Sequence, residues 1–123
     1  MRKIKYIYNY GIKISEKINE EEFNNITIIK KILDKEGRVN NYTIIVPQNF
    51  KENLFINVYR SEKDDFKEEN YIMTLELKLK EHLLKREIRP KISINFGTYL
   101  EFNVIDDITK ESIDIIYHNE FEA

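Results

Sequence analysis

Residues 61–90 read SEKDDFKEENYIMTLELKLKEHLLKREIRP, and whether that stretch coils or extends decides the architecture. It separates two strand-rich halves and holds the longest amphipathic run in the chain. As a helix it carries both a start and a stop. Ser61 stands three residues before Asp64, and Asp64 and Asp65 place acid where a first turn exposes its N–H groups. Lys85, Arg86 and Arg89 place positive charge in the last turn, and Pro90 cannot continue a helix. Leu, Glu, Lys and Met, all strong helix formers, fill most of residues 73–87.

At 100° per residue the helix has two apolar stripes. Phe66, Met73, Leu77, Leu84 and Ile88 make one; Ile72, Leu75, Leu79 and Leu83 make the other. A helix that covers one sheet needs a single stripe, so the second predicts a docking surface, either for a protein partner or for a homodimer formed through the central helix. The rival reading is a strand. From residue 71 to 80 the order alternates, with Tyr71, Met73, Leu75, Leu77 and Leu79 on one side and Thr74, Glu76, Lys78 and Lys80 on the other. Such a strand would lie at a sheet edge guarded by charge, with a short helix after it. Propensity and end signals favour the helix over residues 64–88.

Outward from that stretch the chain reads as strands. Residues 2–14 alternate, with Ile4, Tyr6, Tyr8, Tyr10, Ile12 and Ile14 on one face, and Gly11 marks a bulge. Residues 15–24 are acidic and suit a helical turn. Residues 26–33 and 39–46 read as two strands joined at Asp34-Lys35-Glu36-Gly37, where Gly37 supplies a positive φ. Residues 54–60 form another strand with apolar groups on both faces.

The last third reads as a three-stranded meander. Ile92, Ile94 and Phe96 alternate with polar residues, as do Leu100, Phe102 and Val104, and then Ile113, Ile115 and Tyr117. A three-residue loop at 97–99 keeps the apolar faces together by pairing Phe96 with Leu100 and Ile94 with Phe102. The same matching sets Val104 opposite Ile113 and lines up a polar row, Ser93–Asn103–Asp114, with Glu101 and His118 nearby. The sequence thus predicts one α+β domain over residues 1–123: a mainly antiparallel sheet of about seven strands, including the C-terminal meander, packed on one long central helix.

Composition bounds the function. With no cysteine, thiol nucleophiles and cysteine-held zinc are excluded, and a reducing cytoplasm fits best. No apolar run is long enough to span a bilayer, and the N-terminal residues lack the features of a secretion signal. A net charge of −2 gives no bulk attraction to nucleic acid or to acidic membranes. The abundance of Ile, Lys, Asn, Glu and Tyr points to AT-rich coding, as in some bacteria and their phages.

Three glycines, at positions 11, 37 and 97, leave no phosphate-cradling loop, and no serine sits in a nucleophile elbow. His82 and His118 lack metal-ligand spacing, and no metal or cofactor is expected. Glu76-Leu77-Lys78 after Asp64 and Asp65 matches the acid-then-ExK pattern of metal-dependent nucleases, but over one tripeptide and only if Glu76 lies on a strand. In a chain with 34% charged residues such a match is cheap.

The expectation is therefore a small non-catalytic binding or inhibitory protein acting by protein–protein contact, of the toxin-immunity or phage counter-defence kind. The alternative is a binder of a small anionic ligand such as a nucleotide. Arg60, Arg86 or Arg89, whose planar forks grip phosphate or carboxylate, would then act with an aromatic such as Tyr99. The polar row, with Glu101, Asn103, Asp114 and His118, is the remaining candidate for a ligand-binding face.

Overall fold

The computed structural model describes residues 7–14, 29–51, 53–96 and 100–118, with Phe96 described by its backbone alone. The start of the first predicted strand, the helical turn at 15–24, residues 26–28 and the loop at 97–99 with Tyr99 lie outside the described residues. Eight strands follow one another: β1 (Asn9–Ile14), β2 (Lys30–Leu33), β3 (Tyr42–Thr43), β4 (Leu54–Ser61), β5 (Tyr71–Leu77), β6 (Pro90–Phe96), β7 (Leu100–Asp106) and β8 (Ile115–His118). They form a five-stranded sheet, β2-β1-β4-β5-β8, and a three-stranded sheet, β3-β6-β7, with every pairing antiparallel.

The long central helix is absent. Among the described residues no helix reaches seven residues, and residues 64–88 hold β5 between two short 3-10 helices, Glu68–Asn70 and Glu81–Lys85. Nor is β5 an edge strand, since it pairs with β4 on one side and β8 on the other. The reason lies in how the alternation is used. Leu75 and Leu77 are buried against the core, while Thr74 and Glu76 face the other way and are half-buried. Two flanking strands satisfy the backbone of β5 on both sides, and that pairing outweighs the helix propensity of Leu, Glu and Lys, which is worth only a fraction of a kcal/mol per residue. The predicted end signals serve other ends. Ser61 is buried and its Oγ accepts from the Lys63 N–H at 3.1 Å, while Asp64 pairs with Lys31 at 3.2 Å.

Two segments belong to both sheets and join them at their margins. In the first, Val39 bridges to Leu33 of β2, after which Tyr42 pairs with Ile92, the Ile44 N–H donates to the Pro90 carbonyl at 2.9 Å, and Val46 bridges to Ile88. In the second, Ser112 bridges to Ile105 of β7 and the Ile113 N–H donates to the Val104 carbonyl at 2.8 Å. The chain then crosses to β5 as β8. The result is a flattened antiparallel barrel.

Its interior is filled by side chains from both sheets, among them Ile12, Ile56, Val58 and Leu75 from the larger and Ile92, Phe102 and Val104 from the smaller. Ile44 and Val46 of one joining segment and Ile113 of the other complete it. No helix among the described residues is long and apolar enough to cross a membrane.

Several local expectations hold. Gly37 has φ 82° and its N–H donates to the Asp34 carbonyl at 2.9 Å, closing the turn before Arg38. The β1–β2 register shifts between Tyr10 and Gly11, which is the bulge. Phe96 pairs with Leu100 and Ile94 with Phe102, as the three-residue loop requires. The third strand of the meander is the correction there: it starts beside β7 but completes the other sheet.

Candidate functional site

Where β8 leaves β7 for β5, the two strands open into a groove of about 290 Å³. Phe102, Asn103 and Val104 line one wall; Ile113, Asp114 and Tyr117 line the other. The edge of β7 is met here in an unusual way. At Val104 its carbonyl is paired by backbone, but at Phe102 a side chain stands where a strand would be. The Tyr117 hydroxyl accepts from the Phe102 N–H at 3.1 Å and donates to the Phe102 carbonyl at 3.4 Å. One hydroxyl thus answers both edge groups of one residue, which a neighbouring strand would otherwise do. Tyr117 stays 47% exposed while its ring sits 6.4 Å from that of Phe102, so it lies over the groove rather than within the core.

Of the predicted polar row, Ser93 pairs with Asn103 in register, and Asn103 and Asp114 line this groove together. The Asp114 carbonyl accepts from the Lys78 N–H at 2.9 Å, and its carboxylate lies 3.8 Å from Lys80 Nζ. Glu101 is exposed on β7 opposite Asn95. His118 does not join them. Its Nε2 lies 2.9 Å from Glu76 Oε1 across the β5–β8 pair, on the far face of the larger sheet, with its ring 6.3 Å from that of Phe55.

On that face Lys13, Asn57, Thr74 and His118 stand in register across four strands. Thr74 Oγ1 donates to Asn57 Oδ1 at 3.0 Å. Lys13 and the Tyr59 hydroxyl hold the two oxygens of Glu68 at 2.9 and 3.1 Å. The Glu68 carboxyl is held below its ordinary range by those two hydrogen bonds, and burial pushes the Tyr59 hydroxyl up. Each group is answered by another, which makes the row a structural network.

The arginines are dispersed. Arg60, near the end of β4, stacks its guanidinium 4.5 Å over the Tyr8 ring. Arg86 lies 4.0 Å from the buried carboxylate of Asp106, and Arg89 pairs with Glu87 at 3.1 Å. Arg86 and Arg89 both adjoin Asp106, the first by its side chain and the second by its N–H. The predicted docking stripe is also dissolved: Leu75 and Leu83 are buried in the core, and Ile72 and Leu79 pack against it. A dimer formed through a central helix has no helix to form it.

Glu76 does lie on a strand, as the nuclease pattern needs. Asp64, however, belongs to the connection that enters β5 from its opposite end, five residues or roughly 16 Å away along the strand. Among the described residues no group of three acidic or histidine side chains could hold a metal ion. No family model, curated protein or solved structure matches this chain.

Sequence reasoning missed the role of Tyr117, reading it as an alternating core residue. No local signal marks it, because alternation gives Tyr117 a face but not a partner strand, and the structure sets it opposite Leu75 of β5.

Proposed function

We propose that this chain is a non-catalytic binding protein that acts by contact with another polypeptide, taking an extended segment of its partner along the edge of β7. The observation that supports this reading is the Tyr117 hydroxyl on both edge groups of Phe102. A side chain in that place can swing away, leaving one N–H and one C=O spaced for a strand, the mode in which main-chain bonds give affinity and alternate side chains give specificity. Asp114, exposed in the lining of the groove, and Glu101, exposed next to Phe102 on β7, favour a segment that alternates apolar residues with lysine. The barrel interior, filled by its own side chains, leaves binding to the surface.

The test is an amide NMR titration with a capped heptapeptide of alternating valine and lysine, beside the same peptide N-methylated at every second residue. Saturable shifts confined to residues 100–104 and 112–117, lost with the methylated peptide, are expected. Shifts elsewhere, or equal binding by both peptides, would remove the reading.

A further inference from the structure

A second site lies at the end of the barrel, in a cleft of about 370 Å³ beside the β4–β5 connection. Its size falls in the range of small-molecule sites, about 300–1,000 Å³, but its lining is charged instead of apolar. Arg60, Lys63 and Lys67 contribute three cations, and Glu62, Asp65 and Glu69 three carboxylates, with Tyr8 and Tyr71 as aromatic walls.

The floor is fixed. Asn9, only 2% exposed, donates from Nδ2 to the Lys63 carbonyl at 2.7 Å and accepts at Oδ1 from the Lys35 N–H at 3.1 Å. Ser61 Oγ holds the Lys63 N–H. Arg60 continues the inward-facing row of Val58, since it pairs with Tyr10 as Val58 pairs with Ile12, but the row has passed the end of the core and Arg60 is exposed. One face of its guanidinium rests on Tyr8, it hydrogen-bonds Tyr10, and among the described residues it makes no ion pair. A guanidinium held by its face presents its edge to an oxyanion.

The three carboxylates on the same rim oppose a polyanion such as a nucleotide and suit an ammonium group. We infer that the cleft binds a small zwitterion of the amino-acid class, its carboxylate on Arg60 and its ammonium toward the Asp65 side. This site is separate from the β7 edge and stands or falls without it.

The experiment is an NMR titration of the full chain with L-phenylalanine, its amide, its N-acetyl form and inorganic phosphate, following the Arg60 Nε–H and the amides of residues 60–72. L-Phenylalanine should give saturable shifts, and the amide and N-acetyl forms should bind at least tenfold more weakly. Arg60→Gln and, as an exposed second variant, Asp65→Asn should each weaken binding about tenfold with the rest of the amide spectrum unchanged. Phosphate or the N-acetyl form binding as well as the free amino acid would show a simple anion site and overturn the inference. So would the absence of any saturable shift in the wild-type chain.

Discussion

Replacing Asp106 by asparagine tests the account of the turn that sends the chain from β7 toward β8. The Asp106 side chain is fully buried. One of its oxygens accepts from the Arg89 N–H at 2.9 Å and the Ile108 N–H at 3.3 Å. The other accepts from the Thr109 N–H at 3.2 Å and the Thr109 hydroxyl at 2.7 Å. Asparagine keeps the shape but turns one oxygen into a donor. Whichever way the amide sits, at least one buried N–H then faces an NH₂ group. Each such loss costs about 1–3 kcal/mol, and hydrogen bonds to a charged acceptor are worth about 1.5–3. A destabilisation of about 2–4 kcal/mol follows, read as the shift of a urea-unfolding midpoint at unchanged slope.

The pH dependence adds a second readout. Burial pushes the Asp106 carboxyl up, but the hydrogen bonds from Arg89, Thr109 and Ile108 outweigh it and hold the group below its ordinary value. A carboxyl depressed in the folded state contributes stability that is fully present above its unfolded pKa, near 4, and is lost as pH falls through the folded value. Between neutral pH and about pH 3, the wild type should therefore lose stability that Asp106→Asn never had. A variant within about 0.5 kcal/mol of wild type at pH 7, or one whose acid limb parallels wild type, would refute the reasoning.

Three further outcomes are expected. Leu75→Ala, at a fully buried position, should cost about 2–5 kcal/mol of unfolding free energy in a dilute sample, whereas a surface-stripe leucine would cost almost nothing. Gly11→Ala would put a Cβ 2.7 Å from Ile29 Cγ2 and 3.1 Å from the Phe66 ring. It should destabilise by about 1–3 kcal/mol in thermal melts, and should cost less when made in an Ile29→Ala background, because Ile29 carries the closest contact. Tyr117→Phe should leave the fold intact and cost about 1 kcal/mol, while the Phe102 amide exchanges with solvent faster than its neighbours on β7.

How far the sequence could be read depended on whether the deciding contacts were local. The β6–β7 hairpin was legible because its loop length and the alternation of Ile92, Ile94, Phe102 and Val104 constrain each other within a dozen residues. The turn at Gly37 and the bulge at Gly11 were legible for the same reason. Residues 71–83 were not. Ile72, Leu75, Leu79 and Leu83 satisfy a helical stripe, while Tyr71, Met73, Leu75, Leu77 and Leu79 satisfy a strand, and the two patterns share Leu75 and Leu79.

What settles the matter is distant in the chain. Glu76 meets His118, 42 residues later, and β5 fills a place between β4 and β8 that no local pattern announces. The crossing of the chain at Asp114 was invisible for a related reason, because alternation through Ile113, Ile115 and Tyr117 specifies a face but not a sheet. Of the candidate site, Asn103 and Asp114 could be placed together from register alone. His118 was drawn to the same face by an unbroken meander that the crossing interrupts, whereas Glu101 stays two residues from Asn103 on β7. The three arginines had shared chemistry, but Arg60 and Arg86 line separate clefts and Arg89 pairs with Glu87.

The most direct test of the account is the set of cross-strand nuclear Overhauser contacts made by residues 112–118. The structure predicts contacts from Ser112 and Ile113 to Ile105 and Val104, and from Ile115, Ile116 and Tyr117 to Leu77, Glu76 and Leu75, all in one molecule. An unbroken β7 pairing that set Tyr117 opposite Leu100, with helical contacts across residues 71–80, would contradict it.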